Sequence, residues 1–231
     1  MQILTQKNCV LCGISTNQDL CESCTLHLPQ LPVNHCPICL WPAPTAEVCG
    51  ACLTSPPAFT RTIAALRYTF PVDALIHSLK YQANLAIAPI LANLLLQQLE
   101  TPKSMPDVIL PMPLHPIRLR ERGFNQAMEI SRYVSKQLGI TLLPDSCSRI
   151  KHTPPQTGLP WKDRQKNIRK AFSCKMNLSG KHVALVDDVM TTGATLNELA
   201  KVLRKQGACE ISNWVIARTL PEIHQTSPHT Q

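Results

Sequence analysis

Asp187 and Asp188 stand side by side behind the apolar run 183–186, in the stretch "HVALVDDVMTTGATLNELAKVL". Two adjacent carboxylates repel, a cost that persists where a cation or hydroxyl groups use them. Thr191, Thr192, Gly193, Ala194 and Thr195 follow and open a helical pattern. Backbone N–H groups at such a helix start favour an anion, threonine hydroxyls add donors, and Gly193 lets the backbone come close. The chemistry implied is sugar hydroxyls or a divalent cation at the acids and a phosphate in the loop. A ribose 5-phosphate meets both demands.

Two other readings compete. A Walker B aspartate also follows an apolar strand, but it needs a Gly-x4-Gly-Lys-Ser/Thr loop, and none of the eight glycines begins one. An ordinary aspartate N-cap explains one acid, not two acids and a Thr/Gly-rich loop.

A second constellation lies near the N-terminus. Eight of eleven cysteines form four Cys-x2-Cys knuckles: Cys9 and Cys12, Cys21 and Cys24, Cys36 and Cys39, Cys49 and Cys52. Two knuckles complete a tetrahedral four-thiolate site, which leaves no open position, so bound zinc would be structural. One or two ions fit, and knuckles pairing in order or interleaving both remain open. A thioredoxin-type dithiol would need a βαβ context, which is absent. His35, beside Cys36, reads as a loop residue rather than a ligand. Cys147, Cys174 and Cys209 lie apart at strand-like positions and read as small buried hydrophobes.

The net charge of +8 is unevenly spread: residues 1–57 carry one base against three acids, and residues 118–170 carry twelve bases against four acids. That cluster suits a polyanion, either phosphates or nucleic acid, although a solvated basic face is the common alternative. The run 85–99 is too short and too polar to span a bilayer. The segment "MQILTQKNCV" has no signal-peptide pattern, so the expected compartment is the cytoplasm.

These groups need a scaffold. Cysteine density places a small module at 1–57, with Pro56-Pro57 as its linker. An α/β domain is expected over 58–221 and a flexible tail over 222–231. Leu75, Ile76 and Leu79 sit at helical spacing, as do positions across 86–99, and 124–139 forms an amphipathic helix that Gly139 ends. Strands are expected at 107–114, in "ITLLPD", at 181–186, ending at the two aspartates, and at 210–217. Residues 151–160, "KHTPPQTGLP", read as a long loop. The alternation predicts a parallel sheet with helices on both faces.

The loop "VALVDDVMTTGAT" resembles the phosphoribosyl-pyrophosphate (PRPP) loop of type I phosphoribosyltransferases. Together with "PMPLHPIRLRERGFNQA" (111–127), "RIKHTPPQTGLPWKDRQKNIRKAF" (149–172) and the cysteine module, the chain resembles the ComF family over nearly all of residues 9–220. That family joins a zinc ribbon to a phosphoribosyltransferase-like domain. The resemblance implies that Asp187 and Asp188 engage ribose hydroxyls with Mg²⁺ and that Thr191 to Thr195 cradle the 5′-phosphate. It also implies that Arg122 and Gly123 face the pyrophosphate. Residues 149–166 would be a hood over the site, with Arg149, Thr153, Gln156, Arg164 and, just beyond, Asn167 as its notable positions.

No base-reading loop follows "NWVIARTL", so two expectations stand. One is a competence protein that binds PRPP and handles single-stranded DNA, with other DNA-uptake proteins as further partners and no membrane insertion. Arg118, Arg120, Arg164, Lys166, Arg169 and Lys170 would then meet the phosphates, and Trp161 a base. The other is a phosphoribosyltransferase with an unidentified acceptor.

Overall fold

The computed structural model describes residues 7–99, 105–151 and 168–221. Its centre is a sheet of five parallel strands in the order β3-β9-β8-β4-β5. These strands are β3 (Arg61–Arg67), β4 (Val108–Pro111), β5 (Thr141–Leu142), β8 (His182–Met190) and β9 (Glu210–Arg218). Val183 and Leu185 face one apolar cluster, and Ala184 and Val186 the other. A strand covered on both faces needs an unbroken apolar run, and this is why 183–186 carries one.

Helices α3 (Val72–Gln82), α4 (Ile87–Gln98) and α6 (Gln126–Leu138) pack on the Ala184/Val186 face, and α7 (Ala194–Lys205) packs on the Val183/Leu185 face. Local chemistry sets their ends. Asn125 caps α6 by accepting the Ala127 N–H at 3.0 Å, and Gly139 closes it in the left-handed region. The short helix α5 (Pro116–Arg122) starts on a proline and ends on Gly123 at φ 82°. A two-stranded ribbon, β6 (Cys147–Arg149) with β7 (Phe172–Cys174), flanks the sheet.

The cysteine-rich segment contributes the pair β1 (Lys7–Asn8) and β2 (Ser15–Thr16) and the short helices α1 (Glu22–Leu26) and α2 (Gly50–Thr54). It is docked on the sheet domain. Cys9, Leu20 and Leu28 join the α3/α4 side of the core, and Leu40 joins the opposite cluster. Backbone bonds continue the contact: Arg67 donates to Pro29 O at 2.8 Å and Thr62 to Pro37 O at 3.4 Å.

Three expectations change. β8 runs on through Asp187 and Asp188 to Met190, because Asp187, Val189 and Met190 still pair with Val215, Ala217 and Arg218 of β9. Strand β3, which the alternating pattern did not single out, forms one edge of the sheet. Cys209 is exposed just before β9, where its thiol donates to Gly180 O at 3.1 Å, while Cys147 and Cys174 are buried as expected. Among the described residues, no helix is long and apolar enough to cross a membrane. The loop expected at 151–160 lies outside the described residues, apart from Lys151.

Candidate functional site

The chain passes from β4 to β5 on one side of the sheet and later returns to β8 on the other side of β4. Such a reversal leaves a crevice at the C-terminal strand ends, where open α/β sheets bind ligands. A cleft of about 530 Å³ lies there. Its walls come from the segments after β4 (Leu114, His115, Arg118, Arg122) and after β8 (Thr191, Gly193, Ala194, Thr195). Asp187, Arg149 and Lys80 add charged groups to the lining.

The paired acids divide their work. Asp188 is buried and forms an ion pair with Lys80 from the last turn of α3. Burial pushes its carboxyl up, but the Lys80 ammonium outweighs this and holds it below the usual carboxylate range. Asp187 lines the cleft. Desolvation, then the Asp188 charge, push its carboxyl well above that range, although Lys80 pulls the other way. The Asp188 N–H donates to Asp187 Oδ1 at 2.9 Å, and the Val189 N–H to Asp188 Oδ1 at 3.0 Å. One carboxylate is therefore spent on the protein's own cation, and its neighbour is left as a cation-seeking group in the cleft.

The loop after β8 is shaped by Gly193, at φ 77°, with an added Cβ only 2.6 Å from Met190 Cε. Thr192 Oγ1 accepts the Ala194 N–H at 3.3 Å, and Asn197 N–H closes the first turn on Gly193 O. Behind the loop, the buried Arg218 donates to Met190 O at 3.1 Å, Thr219 O at 2.7 Å and Thr191 O. Its Nε donates to Cys39 O at 2.9 Å. The loop after β8 is thus tied to the cysteine module through Arg218.

Arg122 donates to Gln126 Oε1 at 2.5 Å and lies 5.5 Å from the Tyr81 ring centroid. Arg149 lies 5.8 Å from the Phe172 ring centroid, and desolvation lowers its proton affinity while Asp187 raises it. Gly123 serves as the left-handed stop of α5. Arg120 is exposed on α5 and is not part of the cleft lining. Arg169 and Lys170 are exposed elsewhere; Lys170 N–H donates to Glu198 Oε1 of α7 at 2.7 Å. Thr153, Gln156, Trp161, Arg164, Lys166 and Asn167 lie outside the described residues.

The sequence reading missed Lys80, Arg218, Tyr68, His77 and Tyr81. Lys80 lay outside the basic cluster, but the unexplained acid pair demanded such a cation. Arg218 carried a signal too: a cation ending a buried strand needs several acceptors.

The eight cysteines gather in two clusters, Cys9/Cys12/Cys21/Cys24 and Cys36/Cys39/Cys49/Cys52, so the knuckles pair in order. Within each, all four Sγ atoms lie within 4.8 Å of one another. Cys12 and Cys21 sulfurs are 3.7 Å apart, and those of Cys39 and Cys49 are 3.6 Å apart. A tetrahedron with 2.3 Å metal–sulfur bonds has edges of about 3.8 Å, so the donor sets fit a zinc ion. Burial pushes Cys9 and Cys36 up, yet neighbouring backbone N–H groups bring Cys9 down to about 6 and Cys36 to about 7. Their partners go the other way: Cys24 is pushed up to about 12, first by Cys21, and burial pushes Cys39 up to about 11, so one thiolate per cluster is favoured before an ion binds. His35 joins neither cluster; its Nδ1 lies 2.7 Å from Pro32 O.

The phosphoribosyl transferase domain family matches residues 80–222. The chain is 38% identical to Competence protein F of Haemophilus influenzae over 208 residues, which cover 86% of this chain and 90% of that protein. It is 34% identical to the DNA utilization protein YhgH of Salmonella typhimurium over 221 residues (92% and 97%). Competence protein ComFC of Bacillus subtilis is 24% identical over 236 residues (91% and 95%). With its paired cysteine clusters, parallel sheet and Asp-Asp loop, the chain belongs to the ComF family, a cysteine ribbon joined to a phosphoribosyltransferase-like domain.

Proposed function

We propose that the protein is a competence factor whose cleft binds PRPP with Mg²⁺ and whose basic face handles single-stranded DNA in the cytoplasm during natural transformation. The observation that carries the ligand reading is the convergence of Asp187, the Thr191–Thr195 loop, Arg118, Arg122 and Arg149 on one cleft. Mg²⁺ takes one or two carboxylates and fills its octahedron with water and substrate phosphates. Asp187 suits that role, since a divalent cation would hold it ionised; Asp188 would act through Lys80 or exchange partners when the ribose arrives. The loop amides would take the 5′-phosphate. Arg122, beside Gly123, would take the pyrophosphate, and Arg149 with Thr153, Gln156, Arg164 and Asn167 would form the hood.

The names of the relatives, competence and DNA utilization, support the DNA role. Arg118, Arg120, Arg169 and Lys170, with Trp161, Arg164 and Lys166, would supply the contact. Two structural zinc ions would hold the module at 1–57 against the domain at 58–221, with 222–231 as a tail. A second reading, phosphoribosyl transfer to an unidentified acceptor, draws on Arg118 and Arg122, which line the cleft and would neutralise a departing pyrophosphate.

Calorimetry of PRPP binding with and without Mg²⁺ tests the ligand reading. Mg²⁺-dependent binding that Asp187→Asn abolishes supports it, and no PRPP binding in the presence of Mg²⁺ overturns it. Pyrophosphate release in the presence of an acceptor panel would favour turnover.

A further inference from the structure

Aromatic residues are scarce in this chain, at 4% of its composition, and most of those described pack inward. Trp214, Phe59 and Phe172 are buried, and Phe124 and Tyr133 lean on the core. Three of the exposed rings fall instead on the segment 68–81, and two of them, Tyr68 and Tyr81, line the cleft. Tyr68 is 38% exposed, Phe70 76% and Tyr81 67%. Tyr68 follows β3, Phe70 sits in the turn, and Tyr81 projects from the last turn of α3. The His77 ring lies one helical turn back, its centroid 4.7 Å from that of Tyr81 at an interplanar angle of 43°. Tyr68, His77 and Tyr81 all line the cleft beside Arg118 and Arg122.

Burying such rings is the usual outcome, so two left partly in water beside Arg118 and Arg122 need a reason. Two exposed rings with arginines alongside are the elements of a single-strand binding surface, in which bases stack on ring faces and the backbone tracks the charge. The 5.5 Å approach of the Arg122 guanidinium to Tyr81 already shows the ring receiving a flat cation.

We infer that Tyr81 and Tyr68, with His77 beside Tyr81, form a base-stacking platform for single-stranded DNA, and that Arg118, Arg120 and Arg122 carry the adjoining phosphates. This inference rests on the single-strand part of the proposed function and gives it a location: the strand runs past the mouth of the phosphoribosyl cleft. Occupancy of the cleft and passage of the strand then share Arg118 and Arg122. The path differs from one along Arg169 and Lys170, which lie outside the cleft.

The test is fluorescence anisotropy of a labelled thymidine 20-mer with the full-length protein, across a salt series. Tyr81→Ala and Tyr68→Ala should each weaken binding about tenfold. The salt slope should stay unchanged, because no phosphate contact is lost. Tyr81→Trp should keep the affinity and add a quenching signal on strand binding, as stacking requires. An abasic 20-mer should bind the unaltered protein weakly and be insensitive to Tyr81→Ala. Both rings are solvent-accessible and outside the buried core, so the alanine variants should keep the parent melting temperature. Strand binding that survives both alanine substitutions, or an abasic strand that binds as tightly, overturns the platform alone. No binding of the 20-mer by the unaltered protein removes the single-strand reading itself, and the platform with it.

Discussion

Arg218 donates from Nε to the carbonyl of Cys39, a cysteine of the second cluster, and from the same guanidinium to the carbonyls of Met190 and Thr191. One buried side chain thus ties a cysteine knuckle to the loop that opens α7. Its acceptors are carbonyls, not carboxylates. Burial pulls the guanidinium down from its ordinary value, and the charges of Cys39, Cys52 and Cys49 push back. A four-thiolate site holding a divalent ion keeps a net negative charge, so the second cluster, once loaded with metal, would also serve as the counter-charge of Arg218.

Arg218→Met should therefore cost about 3 kcal/mol of stability, since it leaves several buried carbonyls without donors. Arg218→Lys should recover only part, because an ammonium cannot reproduce the planar fork. Urea titrations give the stability, and phosphate or PRPP titration gives the loop. A parent-like midpoint for Arg218→Met would show that the carbonyls find other partners.

The adjacent aspartates should respond with opposite signs. Asp188→Asn removes the partner of Lys80 and should destabilise the protein by about 2–3 kcal/mol. That is below the cost for a fully buried pair, because Lys80 keeps 20% of its side chain exposed. Asp187→Asn removes a carboxyl already pushed up by burial and by Asp188, and should leave the ligand-free protein as stable or slightly more stable. Thermal melts at neutral pH, with ligand and metal absent, decide the signs. Equal losses from both variants would mean that the two acids share Lys80 equally.

Acid and base act on the pair separately. Asp188 is held low, so its contribution is present above the unfolded aspartate value of about 3.9 and is lost as pH falls through the lower folded value. Asp187 is held high, so its contribution is complete below about 3.9 and is lost as pH rises through its raised folded value. A cation binding at Asp187 must displace that proton, and Mg²⁺-dependent PRPP affinity should increase with pH across the raised value. The check is a PRPP titration with Mg²⁺ at several pH values. A flat profile would place the metal elsewhere.

Much of this was legible in the sequence, and for local reasons. The run 183–186, the stripe of Leu196, Leu199, Ala200 and Leu203, and the cap residues Asn125 and Gly139 encode their elements through periodicity and hydrogen bonding within a few positions. The four knuckles encode two clusters, but not their pairing, which depends on how the chain folds back. Long-range partners were invisible. Lys80 reaches Asp188 across more than a hundred residues, and Arg218 reaches Cys39 across 179. Strand β3 was obscured because Arg61 and Arg67 bracket a short apolar run at a sheet edge.

Gly193 offers a sharper test of the loop. At φ 77° an L side chain is strained, and a Cβ would meet Met190 Cε at 2.6 Å. The methionine tip can move aside, so the backbone term dominates, about 1–3 kcal/mol. Gly193→Ala should lower stability by that amount and weaken phosphate-type ligands more, because the residue sets the direction of the Ala194 and Thr195 N–H groups. A variant that loses stability but binds ligand unchanged would detach the loop from the site.

Metal analysis of the cysteine variants tests the module. The two clusters are separate and paired in order, so the protein should carry two zinc ions and either Cys24→Ser or Cys49→Ser should leave about one. Removing both ions with a chelator should lower the melting temperature by about 10 °C or more, because Cys9, Leu20, Leu28 and Leu40 pack into the two faces of the main core. The two single variants should also differ. Loss at Cys49 disturbs the counter-charge of Arg218 and should weaken PRPP or phosphate binding, whereas loss at Cys24 should loosen the α4 side and leave the ligand affinity near the parent value. If Cys24→Ser weakened the ligand as much as Cys49→Ser, the link through Arg218 would not be the route by which the module reaches the cleft.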